Sequence, residues 1–339
     1  MKKNKMNKEN YIDVVIPAYN AEFTLEKCVD SLLNQTIKNF RILIIDDGSR
    51  DNTFRVAKTL ENKNPQKIRA IHQENSGVSV ARNTGIANAT SQYITFVDSD
   101  DFVEQNYLES LLTPFLENNI QLSVCGYSKE KNNKVLYNGM YKFTGVVTVK
   151  NVYERIFINQ GIEGFVVNKL YKLELIKEHN LLFDKKIKIG EDLLFNIQYL
   201  NYVHQVYISD DPVYHYVVNE SSTVNTTKIG KNFDRKTLTI LEAFEQVIEL
   251  VPSKLVNAQI AAKAQLANNA SNIIRIIYLS NMNNKFPTLV KRLKNIMRIN
   301  GKYVFATSIF DKKTKIKFMM NMLSPRLTVV LWNFVKGKR

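Results

Sequence analysis

Through its first 125 residues the chain alternates short apolar runs with stretches of helical spacing, and no other feature restricts the fold as much. Ile12–Pro17 reads as a strand, and Ala21–Leu33 follows with Leu25, Cys28, Val29 and Leu32 at the spacing of one helix face. Arg41–Ile45 is a second strand-like run ending at Asp46-Asp47-Gly48-Ser49. Asp51 and Asn52 are placed to cap the next helix, whose apolar side is Phe54, Val56 and Leu60. Lys67–His72, Val78–Ala89, Tyr93–Val97, Glu104–Leu116 and Gln121–Cys125 continue as strand, helix, strand, helix and strand. Near-continuous apolar strands separated by helices predict an α/β, Rossmann-like fold: a mostly parallel sheet flanked by helices. Ligands of such sheets bind beyond the carboxyl ends of the strands. Here those ends carry Tyr19-Asn20, Asp46-Asp47 and Asp98-Ser99-Asp100.

From about 130 to 220 the elements become shorter and richer in aromatics. They read as a hairpin around Asn138-Gly139, a helix near Val152–Ile158, and strands near Val203–Ser209 and Val213–Val218. After about 230 the patterns are helical, as in Lys236–Leu250 and Leu255–Tyr278. The expected organisation is a basic arm over 1–10, an α/β domain over 11–225 with halves at 11–125 and 126–225, and a helical C-terminal region over 226–339. A chain of 339 residues accommodates this and buries a core without staples. With 45% hydrophobic and 23% charged residues it is neither disordered nor fibrous. Its two cysteines, Cys28 and Cys125, form no disulfide framework; they suit a reducing compartment and read as inert core. The apolar stretch Leu327–Val335 is interrupted by Asn333, and Val14–Ala18 is too short for a signal peptide, so a cytoplasmic chain is expected.

The net charge of +15 is concentrated at the ends. Residues 1–9 contribute +3 and residues 286–339 contribute +12, which leaves 10–285 neutral. Within the tail, basic residues such as Lys291, Arg298, Lys302, Lys312 and Lys315 alternate with Leu293, Ile299, Phe305, Ile316 and Met319. That interleaving describes an interfacial segment attached to an anionic membrane surface. A solvated basic bundle packing its apolar side on the rest of the protein is the alternative. Nucleic acid is not expected as a partner, because the charge is segregated from the sheet and no recognised module is present.

The first strand–helix turn, Pro17-Ala18-Tyr19-Asn20, lacks glycine, and no G-x-x-x-x-G-K-[ST] occurs, so two common phosphate-binding devices are excluded. Asp98-Ser99-Asp100 offers another route, since two carboxylates past a buried strand can hold a divalent cation bridging a diphosphate. Hard oxygen ligands suit Mn²⁺ or Mg²⁺, and no Cys/His cluster supports zinc. Acids in this position also cap helices; Asp101, ahead of Phe102 and Glu104, is read as such a cap.

In order, VVIPAYN (14–20), IIDDGSRDNT (44–53), NSGVSVARNTGIANA (75–89), ITFVDSDD (94–101), NKLYK (168–172) and GEDLLFN (190–196) closely resemble the motifs of the family 2 glycosyltransferases. The resemblance covers about 11 to 220. It implies a GT-A fold, with a nucleotide-binding half at 11–125 and an acceptor half at 126–225, and transfer from a nucleotide-sugar. By the same resemblance Pro17, Ala18 and Tyr19 line the nucleobase slot, Asp46 accepts a uracil N–H and Asp47 shapes the turn. Arg82 and Asn83 lie near the diphosphate or ribose, Asp98 and Ser99 face the ribose, and Asp100 with Asp98 ligates Mn²⁺ or Mg²⁺. Asp192, beside Glu191, matches the catalytic base, and His215 is a further candidate for phosphate or metal. Each residue type suits its role: an acceptor-only carboxylate faces an imide donor, and Arg suits phosphate. Asp192 equally suits a helix N-terminus, where acids favour the dipole. His72, His179 and His204 are given no role. The implied activity is inverting transfer of a hexose or N-acetylhexosamine from a UDP-sugar to a lipid-linked saccharide acceptor, in bacterial surface-polysaccharide synthesis at the inner face of the membrane. Nucleotidyl transfer is disfavoured because the first turn lacks glycine and lysine. A degenerate membrane or nucleic-acid binding module is the alternative, disfavoured by intact Asp98, Asp100 and Asp192.

Overall fold

The seven residues Ile12–Ala18 are all buried and form strand β1, around which the first part of the chain is laid out. Helix α1 (Leu25–Leu33), β2 (Phe40–Asp47), α2 (Thr53–Lys63), β3 (Ile68–Gln73), α3 (Val78–Asn88) and β4 (Tyr93–Phe96) follow in the predicted alternation. The structure, a computed structural model, describes residues 12–132, 134–139, 141, 143–158, 162–218 and 233–329. The basic arm over 1–10, the expected boundary at 225 and the last ten residues lie outside these. β1 pairs in parallel with β2 and β4, and β2 with β3. This register sets Ala18, Asp46 and His72 in one row at the carboxyl ends of three adjacent strands. Helix α3 approaches β1 closely, because a Cβ on Gly85 would stand 2.3 Å from the Val15 side chain.

Past β4 come β5 (Phe102–Val103), α4 (Tyr107–Glu117), β6 (Leu122–Val124), β7 (Tyr127–Lys131), β8 (Lys134–Gly139), β9 (Gly145–Thr148) and α5 (Val149–Arg155). Then follow β10 (Lys169–Lys172), α6 (Leu173–Glu178), α7 (Glu191–Leu200), β11 (Gln205–Ile208) and β12 (Tyr214–Val217). An eight-stranded sheet runs β3-β2-β1-β4-β10-β6-β11-β9, and a four-stranded sheet runs β5-β12-β7-β8. β3-β2-β1-β4 is parallel throughout; β10 then enters antiparallel to both β4 and β6, beyond which β6 and β11 pair in parallel. The hairpin expected at Asn138-Gly139 lies elsewhere. β7 and β8 are joined just after Lys131, where Asn132 takes a φ of 51°, a conformation asparagine tolerates better than most residues. Asn138 and Gly139 instead pair with Ser128 and Tyr127 within the ladder.

The chain separates into two units. The first comprises the chain up to Val149 with Phe165–Lys185 and Gln198–Val218, and it contains both sheets. The second combines Lys150–Gly164, Lys186–Ile197 and the C-terminal part of the chain, with helices α8 (Thr239–Leu250), α9 (Val256–Leu279), α10 (Pro287–Ala306) and α11 (Lys312–Leu323). Inside it, Gly190 packs on Ile240 and Ala243, the rings of Phe157 and Phe244 are 6.4 Å apart, and the amides of Lys188 and Ile189 donate to the Thr239 hydroxyl. Helix α10 buries Val290, Leu293, Ile296, Met297 and Val304. Helix α11 buries Phe318 and Asn321, the latter donating to Ser271 Oγ at 2.8 Å. Its opposite side exposes Ile316, Met319, Met322 and Leu323. Among the described residues no helix is long and apolar enough to cross a membrane.

Candidate functional site

At the end of β2 the two aspartates are built into the scaffold. Asp47 accepts from Gln73 Nε2 at 2.7 Å, from the Ser76 amide at 2.9 Å and from the Gly77 amide at 2.7 Å. Gly77 immediately precedes α3, so the carboxylate satisfies amides that a helix start leaves without intrahelical partners. Gly48, at φ +67°, lets this turn pass so near Asn75 that a Cβ would lie 2.6 Å from its amide nitrogen. Asp46 points away from solvent altogether. Its Oδ2 is 2.6 Å from Nδ1 of His72, and its Oδ1 is buried without a hydrogen-bond partner among the described residues. Asp46 thus presents no surface to a nucleobase, whereas the sequence expectation had it reading a uracil N–H.

Pro17 and Ala18 are buried, and Tyr19, 46% exposed, is not a core aromatic. Its neighbour Asn20 fastens the first strand–helix turn to the second. Asn20 Oδ1 accepts from the Arg50 amide at 2.9 Å, and the Asn20 amide donates to Ser49 Oγ at 3.0 Å. Thr53 Oγ1 accepts from the Ala21 amide at 2.7 Å.

The end of β4 is different. Arg82, from α3, is buried and donates to Asp98 Oδ1 at 3.0 Å, while the Asp98 side chain is one-third exposed. Arg82 is therefore no surface ion pair. Its guanidinium lies 5.3 Å over the ring of Phe183, which itself meets Phe96 edge-on at 5.4 Å. Asn83 creates that seat. Its carboxamide donates to the Phe183 carbonyl at 2.8 Å and accepts from the Phe183 amide at 2.9 Å. The nucleotide-contacting role expected of Asn83 is corrected accordingly: both ends of its amide hold the backbone, and it positions the ring under Arg82.

Ser99 and Asp100 are partly exposed on the turn, and Asp101 is buried. Asp101 does not cap a helix, because strand β5 follows it. Its Oδ2 accepts from the Tyr214 hydroxyl at 2.5 Å and its Oδ1 from the Val217 amide at 2.8 Å, tying β12 to the acidic turn. Burial, then the charges of Asp98 and Asp100, push the Asp101 carboxyl well above the usual range. The Asp98 amide donates to the same tyrosine oxygen at 3.3 Å.

His215, a candidate for phosphate or metal, is engaged by side chains of the protein itself. Its Nδ1 is 2.5 Å from Glu130 and 2.8 Å from Ser128 Oγ, its Nε2 is 2.8 Å from Glu104, and its ring stacks on Phe102 at 4.3 Å. Both nitrogens are committed within the small sheet. Ser221-Ser222, just beyond, lie outside the described residues. Cys28 and Cys125 are buried thiols, and burial raises the pKa of each.

Gly190, at φ +93°, opens helix α7, whose first turn carries Glu191 and Asp192, both partly exposed. The Asn196 amide donates to the Asp192 carbonyl at 3.0 Å and to the Gly164 carbonyl at 2.8 Å. At the other end of α7, Tyr199 donates to the Gln121 carbonyl at 2.6 Å and accepts from the Lys172 amide at 2.9 Å. Glu191 and Asp192 belong to the second unit, and the acidic strand ends belong to the first.

Among the described residues no three His, Cys, Asp or Glu side chains gather as a metal site. The pair Asp98 and Asp100 has the right chemistry for Mn²⁺ or Mg²⁺, which are commonly held by one or two carboxylates together with substrate phosphates. His72, given no role from the sequence alone, is brought into contact with Asp46; the only signal was that both end adjacent strands.

Residues 13–176 match the family described as Glycosyl transferase family 2. The chain is 34% identical over 219 residues to the uncharacterized glycosyltransferase EpsJ of Bacillus subtilis (strain 168), the match covering 62% of each chain, less than two thirds of that relative. It is 28% identical over 223 residues to the poly(ribitol-phosphate) beta-N-acetylglucosaminyltransferase TarP of Staphylococcus aureus (strain N315), covering 65% of this chain and 67% of TarP. The crystal structure of S. aureus TarS 1-349 in complex with UDP-GlcNAc superposes with a TM-score of 0.58 at 17% identity, covering 88% of this chain and 92% of that one. At that identity the likeness is one of fold.

Proposed function

We propose, from the premise that residues 13–176 are a family 2 glycosyltransferase domain, that the protein moves a hexose or N-acetylhexosamine from a UDP-sugar to a lipid-linked saccharide acceptor, with inversion, in bacterial capsule, exopolysaccharide or cell-wall glycan synthesis. The observation that carries this is the Arg82–Asp98 pair at the carboxyl end of β4. A buried guanidinium there, with an acidic turn partly open to solvent, suits the diphosphate and ribose of a nucleotide-sugar. The name of TarP and the UDP-GlcNAc held by TarS support the donor class.

In the proposed reaction Asp192 takes the proton of an acceptor hydroxyl as its oxygen bonds to the anomeric carbon. The bond from that carbon to the diphosphate breaks with its electron pair leaving on UDP, and a single displacement inverts the centre. The base need not be strong, because the hydroxyl becomes acidic only as its new bond forms. Arg82 stabilises the departing phosphate charge, and Tyr19 offers a flat surface to the base. Mn²⁺ or Mg²⁺ held by Asp100 with Asp98 would supply Lewis-acid stabilisation of that leaving group.

The direct test is a thermal-shift series with UDP-sugars and Mn²⁺, followed by transfer assays of Asp192→Asn. One donor should raise the midpoint selectively, and the variant should bind it normally yet transfer at least about 100-fold more slowly. Near-wild-type transfer would remove Asp192 from its role.

Attachment to the inner membrane face is part of the same proposal. Exposed Ile316, Met319 and Leu323 on α11 stand among the basic residues of a segment with a net charge of +12, the composition of a surface that seats on anionic lipid. Replacing the three with Asp should abolish co-flotation with anionic vesicles; unchanged flotation would place the attachment elsewhere.

A further inference from the structure

His72 and Asp46 form a pair that the reaction above does not use. The Asp46 side chain is wholly buried, while half of the His72 side chain is exposed. A buried carboxylate needs a hydrogen-bond donor, and the imidazole at 2.6 Å is the one that reaches Oδ2. When a carboxylate accepts from Nδ1–H, a neutral imidazole is left with Nε2 as an acceptor. Phe54, with its ring centre 4.9 Å from that of His72, packs against the imidazole and restricts its tilt. In register, Ala18, Asp46 and His72 cross β1, β2 and β3 in one row, and exposed Tyr19 follows Ala18 directly.

We infer that His72 is a residue that sets the base specificity of the nucleotide site, with Asp46 as the positioning residue that fixes its tautomer. Nε2 accepts a hydrogen bond from the imide N–H of uracil. Cytosine carries no hydrogen on the corresponding ring nitrogen, so the same contact discriminates uridine from cytidine. The assignment rests on the UDP-sugar donor proposed above and moves the contact with the base from the occluded aspartate to the partner that solvent can reach. It also accounts for the pairing itself: a fixed acceptor is obtained by burying the carboxylate behind the ring.

The test is titration calorimetry of UDP and CDP with the full-length wild type, His72→Ala and His72→Gln, with thermal midpoints recorded for each. His72→Ala should weaken UDP about tenfold, the scale of one lost ligand hydrogen bond, and leave CDP unchanged. His72→Gln, whose carboxamide can still present an acceptor, should recover part of the difference. Equal weakening of UDP and CDP, or no change in either, would overturn the assignment and leave His72 as a counter-group for Asp46. A wild type that binds UDP together with an unaffected His72→Ala defeats this inference alone. A wild type that binds neither nucleotide defeats the donor proposal along with it.

Discussion

β2 and β4 belong to one sheet and both deliver aspartates to its carboxyl edge, yet the two ends do different things. At β2, Asp46 and Asp47 are closed in by His72, Gln73 and the amides that begin α3. At β4, Asp98 is one-third exposed and is met by a guanidinium, and Asp100 stands on the open turn. At the first end the carboxylate closes a helix start, and at the second it lies partly open on its turn. Surroundings, not residue type, separate scaffold from chemistry.

The sharpest way to break this distinction is a pair of alanine variants. Asp100→Ala should lower transfer at least about 100-fold while leaving unfolding free energy within about 0.5 kcal/mol, as for a surface change. Asp47→Ala should do the reverse in kind. Leaving two backbone amides and the Gln73 amide without their acceptor should cost about 2–4 kcal/mol of stability by denaturant titration. If both variants unfold alike, the two ends are equivalent and the comparison fails. A smaller effect sharpens it. The pKa of Asp101 is raised in the folded state, so the folded protein holds a proton that the unfolded chain has released, and this contribution to stability declines as pH rises above about 4. Asp101→Asn, a neutral isostere, should remove that decline and stay within about 1 kcal/mol of wild type near neutrality. Parallel pH curves for the two proteins would show that burial does not protonate this carboxyl.

Much of the parallel half was legible in the sequence, because its strands are β-rich apolar runs and its helices carry one apolar face each. β1 through β4 fall within two residues of the predicted spans. The antiparallel entry of Lys169–Lys172 between β4 and β6 was not, since a strand buried on both faces has the same composition in either direction. The acidic positions were also readable, but their division of labour was not. Asp101 is explained by Tyr214 and Val217, His215 by Glu104 and Glu130, and Asn83 by Phe183, partners more than 80 residues distant in sequence. Local pattern carries no record of such pairings. The basic tail shows the same limit: helical spacing was visible, but not that α10 buries Val290, Leu293, Ile296, Met297 and Val304 while leaving Ile299 and Phe305 exposed, or that α11 leaves a second apolar side outward.

The clasp between Asn83 and Phe183 joins positions 100 residues apart, and synthesis proceeds from the N-terminus. A nascent polypeptide can lay down its parallel strands well before Phe183 leaves the ribosome. Only then does the ring arrive beneath Arg82 and the arginine acquire its support. The support of the guanidinium is therefore completed late in the growing chain, so that a half-made copy has its hydrophobic interior before the Arg82 side chain is seated.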